Sequence, residues 1–344
     1  MKSMNLTGIR QMEMQEVPIP LLRRDNDVLI RLKVVAVCGS DVHYYVSGKI
    51  GDQVVSYPFS VGHECAGIVE KVGASVSHVK IGDRVAIEPA MPCFECDQCK
   101  CGRPHTCRKL KFLGCPGQAA GSLSEFIVMP ETSCLPIPDR MTYDQAAISE
   151  PLAIGLYAVN RAMPIQNAKA GILGFGPIGM SVLLSALTKG ASKVFVSDKI
   201  NERLQIAMDS GAHYAGNIDE KDVVKEILDL EPQGLDLVFE CCGKQEAVEQ
   251  AFDLLKPGGI LMLIGIPQFD HWRLPVSKGR HKEVTVMNIR RQNGTVEEAL
   301  ELLANENIDV SNMPTHRFSF VDSKQAFDLV ASYKDGVMKA MIDL

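Results

Sequence analysis

Ala170-Gly171-Ile172-Leu173-Gly174-Phe175-Gly176-Pro177-Ile178-Gly179 runs from an apolar strand candidate straight into a glycine turn and a helix candidate. That order decides the fold of the middle of the chain. A lone GxGxxG is a weak signal, but between a strand and a helix it is a strong one. Gly174 permits the tight turn, Gly176 lets backbone approach a pyrophosphate, and Gly179 lets the helix pack close to the strand. The helix N-terminus, near Ile178, then presents unpaired N–H groups and partial positive charge to phosphates. Asp198 lies 24 positions after Gly174, at the end of the next strand, placed to accept hydrogen bonds from both ribose hydroxyls. A carboxylate there repels a 2′-phosphate, so the pattern favours NAD over NADP; Lys199 and Arg203 soften that preference. The plainer alternatives are a turn without a ligand and a surface aspartate.

Outward from this turn, strands and helices alternate. Ala170–Leu173, Lys193–Ser197, Leu235–Glu240 and Ile260–Ile264 read as strands, with helices at Ile178–Lys189, Asn201–Ser210 and Gln245–Leu255. Such alternation builds a doubly wound parallel sheet covered by helices on both faces, an α/β domain. The first 130 residues have another texture: short strands at Val28–Val37, Gly67–Val72, Arg84–Ile87 and Glu125–Met129, punctuated by turn residues. They predict a β-barrel-like domain. Asp144–Met163 has helical spacing, with Pro151 expected to kink it or mark a boundary. β texture resumes near Glu283–Ile289, followed by a helix (Val296–Asn305), a strand (Thr315–Phe320), a helix (Lys324–Lys334) and a last strand, Lys339–Asp343. The expected division is therefore an insertion: residues 153–289 form the nucleotide domain, and residues 1–152 with 290–344 form the other. No internal repeat or low-complexity tract is present.

The cysteines carry the second signal. Cys93-x2-Cys96-x2-Cys99-x7-Cys107, in a lobe near residues 91–110, has the spacing at which four thiolates close around one Zn²⁺ in a structural site. Disulfides or free thiols are the competing reading, and the ladder alone also fits zinc ribbons and fingers. Cys101 breaks the spacing and reads as a bystander; Cys65, Cys115 and Cys134 read as small buried hydrophobes. Upstream lie Cys38-Gly39-Ser40-Asp41-Val42-His43-Tyr44 and Gly62-His63-Glu64. A thiolate, an imidazole and a carboxylate, with Glu150 as a further candidate, are mixed ligands that leave room for water or a substrate oxygen, as catalytic zinc requires. Taken singly, Cys38 reads equally as core, His63 as a turn histidine and Glu150 as an ordinary helix residue.

Composition excludes several classes. The 344 residues are 46% apolar and 23% charged, with a net charge of −6, so composition offers no electrostatic case for nucleic acid, which usually demands a basic face. The longest apolar runs, Gly259–Ile266 and Ser181–Leu187, fall well short of the roughly 20 residues that span a membrane. Met1–Val17 is polar and lacks a signal-peptide core, and eleven cysteines without a secretion signal argue for metal ligands and reduced thiols. A cytoplasmic protein is expected.

The motifs occur in a telling order: Cys-Gly-Ser-Asp-x-His-Tyr, Gly-His-Glu, the four-cysteine lobe, Glu150-Pro151-Leu152-Ala153, then GxGxxG. Over essentially its whole length the chain resembles the zinc-dependent medium-chain dehydrogenase family, in particular its polyol branch of sorbitol (L-iditol) and xylitol dehydrogenases. The resemblance implies a GroES-like β-barrel catalytic domain, a Rossmann domain and an active site in the cleft between them. It further implies one catalytic and one structural zinc, NAD, and a homo-oligomer, tetramer or dimer. Cys38 and His63 match the catalytic ligands; Glu64 and Glu150 share the carboxylate duty, and which one touches the metal stays open. Relatives acting on simple alcohols carry a cysteine near the place of Glu150, so the glutamate here points to polyols. Tyr44, Phe112 and Arg290 match positions lining the polyol pocket, with Arg291 assisting; Arg290 also reads as a plain surface cation. Ile178, Arg203, Ile264, Gly265, Ile266, Asn288 and Ile289 match cofactor contacts. Ser40 and His43 resemble a relay passing a proton through the cofactor ribose to solvent. The implied reaction moves hydride from a secondary alcohol of a polyol to NAD, giving a ketose. Rival readings are a relative acting on a sugar-alcohol phosphate, idonate or threonine, a catalytically silent binding relative, and a zinc-ribbon nucleic-acid binder.

Overall fold

Strand Asp27–Ala36 shows how the first part of the chain is built. Val28, Ile30 and Leu32 face the core while Arg31 and Lys33 point away, the two-residue alternation of a pleated strand. Between Leu32 and Val34 the register against strand Glu64–Val72 slips by one residue, a bulge at Lys33. Beyond it the parity flips, so that Val35 and Val37 become the core-facing residues. Each such buried side chain stabilises the fold by about 1.5–3 kcal/mol.

This strand is the centre of a seven-stranded sheet. Strand Glu64–Val72 lies on one side, followed by Arg84–Ile87 and Cys134–Pro136. The other edge is shared: Phe126–Pro130 pairs with residues 27–31, and the terminal strand Lys339–Asp343 pairs with Val34–Ala36. Pro314–Ser319 completes the sheet in parallel with that terminal strand. The end of the chain thus lies beside the strand that runs into Cys38.

The computed structural model describes residues 1–162 and 164–344, in two compact units. One comprises Met1–Glu150, Val296–Glu306 and Val310–Leu344; the other comprises Pro151–Thr295 and Asn307–Asp309. Helix Tyr143–Arg161 continues through Pro151, so the proline does not end it, and the units divide at this residue. The expected last residue of that helix, Met163, lies outside the described residues.

The second unit is a six-stranded parallel sheet in the order Tyr214–Asn217, Lys193–Asp198, Lys169–Leu173, Leu235–Glu240, Leu255–Leu263, Thr285–Asn288. Winding reverses between the third and fourth strands, the switch point at which such sheets bind nucleotides at their C-terminal ends. Strand Tyr214–Asn217 and helix Val223–Leu230 were not singled out in the sequence. The helix nonetheless has a local start signal: the Asp222 side chain accepts from Lys225 N at 3.0 Å.

Packing around the glycine turn is tight. A Cβ on Gly179 would lie 2.2 Å from the Gly174 carbonyl oxygen, and one on Gly155 would lie 2.5 Å from the backbone of Ser181. Backbone, unlike a flexible side chain, cannot retreat. Gly179→Ala is therefore expected to destabilise the second unit by about 1–3 kcal/mol, measured by denaturant unfolding.

Candidate active site and metal centres

Helix Gly39–Ser47 begins at Cys38, which occupies its N-cap. The Asp41 carboxylate accepts from Cys38 N at 3.4 Å, closing a capping box, and the helix N-terminus brings partial positive charge to the sulfur. Ser40 Oγ donates to Cys38 Sγ at 3.3 Å. Asp41 also accepts from Gly62 N at 3.1 Å and lies 3.3 Å from His63 Nδ1. One buried carboxylate therefore ties together the two segments that carry Cys38 and His63. With Nδ1 engaged, Nε2 is the nitrogen available to a metal, the carboxylate–histidine arrangement common around zinc.

Donor atoms of Cys38, His63 and Glu64 all lie within 4.8 Å of one another. His63 and Glu64 are buried. Desolvation works against a charged imidazole, yet Asp41 and Cys38 hold His63 well above the ordinary histidine range. The surroundings favour positive charge, and a soft, imidazole and carboxylate donor set suits zinc. Glu64 is already engaged: Lys339 Nζ, itself buried, donates to both its oxygens at 2.6 and 2.9 Å. Glu150 stands outside the three-donor cluster; it is 3% exposed and its Oε2 has no hydrogen-bond partner. Burial pushes the Glu150 carboxyl up to about 8, against the pull of His63 and with the push of Glu64.

Phe112 is buried, its ring centroid 5.3 Å from that of His63. Tyr44 is buried in the core of this unit; its hydroxyl donates to Gln53 at 2.8 Å and lies 3.9 Å from Cys115 Sγ. His43 is partly buried on the same short helix. Arg290 and Arg291 belong to the second unit, following its sixth strand.

The four-cysteine lobe forms a second cluster. Sulfur–sulfur distances are 3.6 Å for Cys96–Cys99, 3.8 Å for Cys96–Cys107 and 3.4 Å for Cys107–Cys93. A tetrahedron with metal–sulfur bonds of about 2.3 Å has edges of about 3.8 Å, so one Zn²⁺ fits these donors. Cys93 N and Lys109 N donate to Cys107 Sγ, both at 3.3 Å. Backbone N–H groups of Arg108 and Cys99 lower the Cys96 thiol to about 6. Cys101 stands apart, exposed, with its thiol turned to Gln98 O.

At the nucleotide end, Gly174 has φ +95°, a conformation that favours glycine, and a Cβ there would meet Cys242 at 2.6 Å. Gly176 caps helix Pro177–Thr188, which carries Ile178 in its first turn, and Arg203 Nη1 is 3.5 Å from where its Cβ would be. Asp198 accepts from Phe175 N at 2.6 Å, Lys199 N at 2.8 Å and Ile200 N at 3.0 Å. Its carboxylate thus holds the glycine turn against the second strand, with about one of four acceptor positions left. Ile264 and Gly265 donate their N–H groups to Glu240 O, and Ile289 donates to Leu263 O, so 264–266 and 288–289 lie at neighbouring strand ends. Ile266 and Asn288 are exposed.

Two residues were missed in the sequence at the metal donors. Asp41 stood inside the cysteine motif, and its capping-box spacing was the available signal. Lys339 offered none, since only strand pairing brings it to Glu64. A third, buried Glu240, accepts from Cys242 N at 2.8 Å and Gly243 N at 2.6 Å and shapes the loop beside Gly174.

Residues 24–139 match the alcohol dehydrogenase GroES-like domain, and residues 177–305 match the zinc-binding dehydrogenase domain. Sorbitol dehydrogenase of Bacillus subtilis is 33% identical over 99% of this chain and 97% of that protein. The chain belongs to the zinc-dependent medium-chain dehydrogenases. L-idonate 5-dehydrogenase of Vitis vinifera is 35% identical over 98% of this chain and 93% of its own. Among solved structures of the family, an Escherichia coli dehydrogenase of unknown specificity superposes with a TM-score of 0.94 at 31% identity, covering 99% and 98% of the two chains. Zinc and a nicotinamide dinucleotide are the cofactors of this dehydrogenase.

Asp41 fixes His63 without being a donor of the cluster. Asp41→Asn is expected to weaken zinc retention at this centre by about 10–100-fold while the cysteine lobe keeps its metal. Competition with a chelator, followed by metal analysis, measures both.

Proposed function

We propose that this dehydrogenase oxidises a secondary carbinol of a sorbitol- or xylitol-like polyol to a ketose, with NAD as hydride acceptor. The carrying observation is the Cys38–His63–Glu64 donor set, with Cys38 partly buried and the other two buried, together with Glu150, a carboxylate with an unpartnered oxygen. Zinc, when bound, supplies the Lewis acidity that makes a hydroxyl proton removable near neutrality. NAD, when bound, carries the hydride chemistry.

The chain's own residues divide the remaining work. Cys38 and His63 hold the metal, and Asp41 keeps the imidazole in one tautomer and orientation. Glu64 and Glu150 supply carboxylates, Glu150 toward the hydroxyl that loses its proton. Phe112 gives an apolar wall that keeps water from that hydroxyl. Ser40 and His43, on the helix that starts at Cys38, carry the proton outward; an imidazole titrates in a suitable range. Tyr44, Arg290 and Arg291 are assigned to the remaining hydroxyls of the polyol by resemblance. Cys93, Cys96, Cys99 and Cys107 hold a structural zinc whose binding energy is folding energy.

Gly174, Gly176, Ile178 and Gly179 form the pyrophosphate turn, with Arg203, Ile264, Gly265, Ile266, Asn288 and Ile289 along the dinucleotide. Asp198 favours NAD over NADP through its negative charge. A homo-oligomer in the cytoplasm is the accompanying proposal. Phe269, Leu274 and Val276 of the second unit are exposed apolar side chains of the kind another copy would cover, and eleven free cysteines suit a reducing compartment. No helix among the described residues is long and apolar enough to cross a membrane.

A second reading, an aldonate substrate, is favoured by the adjacent cations Arg290 and Arg291 and by the idonate-dehydrogenase relative. Polyols, sugar-alcohol phosphates, aldonates and threonine assayed with NAD and with NADP separate the readings. The expected result is highest kcat/KM for sorbitol or xylitol with NAD; preference for an aldonate selects the second reading. Cys38→Ser is expected to leave NAD binding intact and reduce turnover to below about one-thousandth, a loss of about 4 kcal/mol of transition-state stabilisation.

A further inference from the structure

Lys339 opens the terminal strand, and Glu64 opens strand Glu64–Val72, with the end of strand Asp27–Ala36 between them. The lysine side chain crosses that strand end, passing Val37 O at 3.4 Å, and delivers its ammonium to both oxygens of Glu64. Both side chains are 1% exposed, so no water competes for either. The same carboxylate supplies an oxygen to the Cys38–His63–Glu64 donor set. One buried anion is therefore claimed by two cations, an ammonium fixed in the fold and the metal that the donor set would hold.

We infer that Lys339 is a positioning residue that competes with the catalytic zinc for the Glu64 carboxylate, and so keeps the metal loosely held and its charge only partly cancelled. This rests on reading Cys38, His63 and Glu64 as the catalytic metal set. The charges make the competition specific. A thiolate and one carboxylate neutralise a divalent ion, so full donation by Glu64 would cancel the metal's charge and blunt its pull on a substrate oxygen. With Lys339 sharing it, Glu64 donates only part of its charge to the metal. Removing the ammonium leaves a bare buried carboxylate, a costly state that a bound metal relieves by taking the oxygens fully and that a proton relieves in the metal's absence. A lysine serving structure alone predicts the opposite effect, since loosening the strand pairing frees the ion.

The test follows zinc release from the whole enzyme into excess chelator, with metal content measured before and after. The parent is expected to hold two zinc ions per chain and to release one readily; a parent holding only one overturns the metal-set reading itself. Lys339→Met, still loaded with two, is expected to release the second about tenfold more slowly. Lys339→Arg, which keeps a cation on Glu64, should stay within about threefold of the parent. Adding Glu64→Gln to Lys339→Met should restore fast release. Lys339→Gln, which keeps one hydrogen bond to the carboxylate, serves if the methionine variant does not fold and should slow release about threefold. Release as fast as or faster than the parent, in either neutral variant loaded with two zinc ions, overturns the inference.

Discussion

Negative charge buried in a protein interior must meet positive charge, and the first unit is organised around that demand. Asp41 and Glu64 are at most 1% exposed, and Glu64 offers its oxygen within 4.8 Å of the Cys38 sulfur. Left uncompensated, each costs several kcal/mol. The fold supplies one fixed cation, Lys339, one ionisable ring, His63, and the capping N–H groups around Asp41. The balance is a donor set suited to a divalent metal without any exposed acidic surface. Strand pairing, helix capping and metal binding are thus three aspects of the same electrostatic problem.

The second unit solves a steric problem instead. Around the glycine turn, backbone segments approach so closely that a single methyl group has no room at Gly174, Gly179, Gly243 or Gly265. Two carboxylates, Asp198 and Glu240, then bind backbone N–H groups of the loops and set their shape. Glycines provide the closeness and acidic side chains provide the rigidity. The loops around the glycine turn therefore have a conformation that is already determined.

Much of this was legible in the residue order, because the informative signals are local. The glycine turn, the cysteine ladder and the Gly-His-Glu triplet each place their donors within a few residues, where backbone geometry alone brings them together. Strands Leu235–Glu240 and Lys339–Asp343 begin and end where their patterns predicted. Pro151, expected to kink the helix or mark a boundary, falls where the two units divide, while the helix itself runs on, because a long helix can lose one hydrogen bond and continue. The terminal lysine was invisible for a different reason: its partner is 275 residues away, and no periodicity in a five-residue strand announces a long-range ion pair. Asp198 was read for its ligand, while its ties to the glycine turn depend on strand-end geometry that spacing alone does not carry.

The shared edge of strand Asp27–Ala36 bears on how the molecule is made. The unit that starts at the N-terminus takes its last strand from the C-terminus. During synthesis the inserted nucleotide unit emerges complete while its host still waits for the final segment. Domains generally fold as units on emergence, so the part begun first is the part finished last. Until Lys339 arrives, the nascent chain holds Glu64 without its ammonium partner.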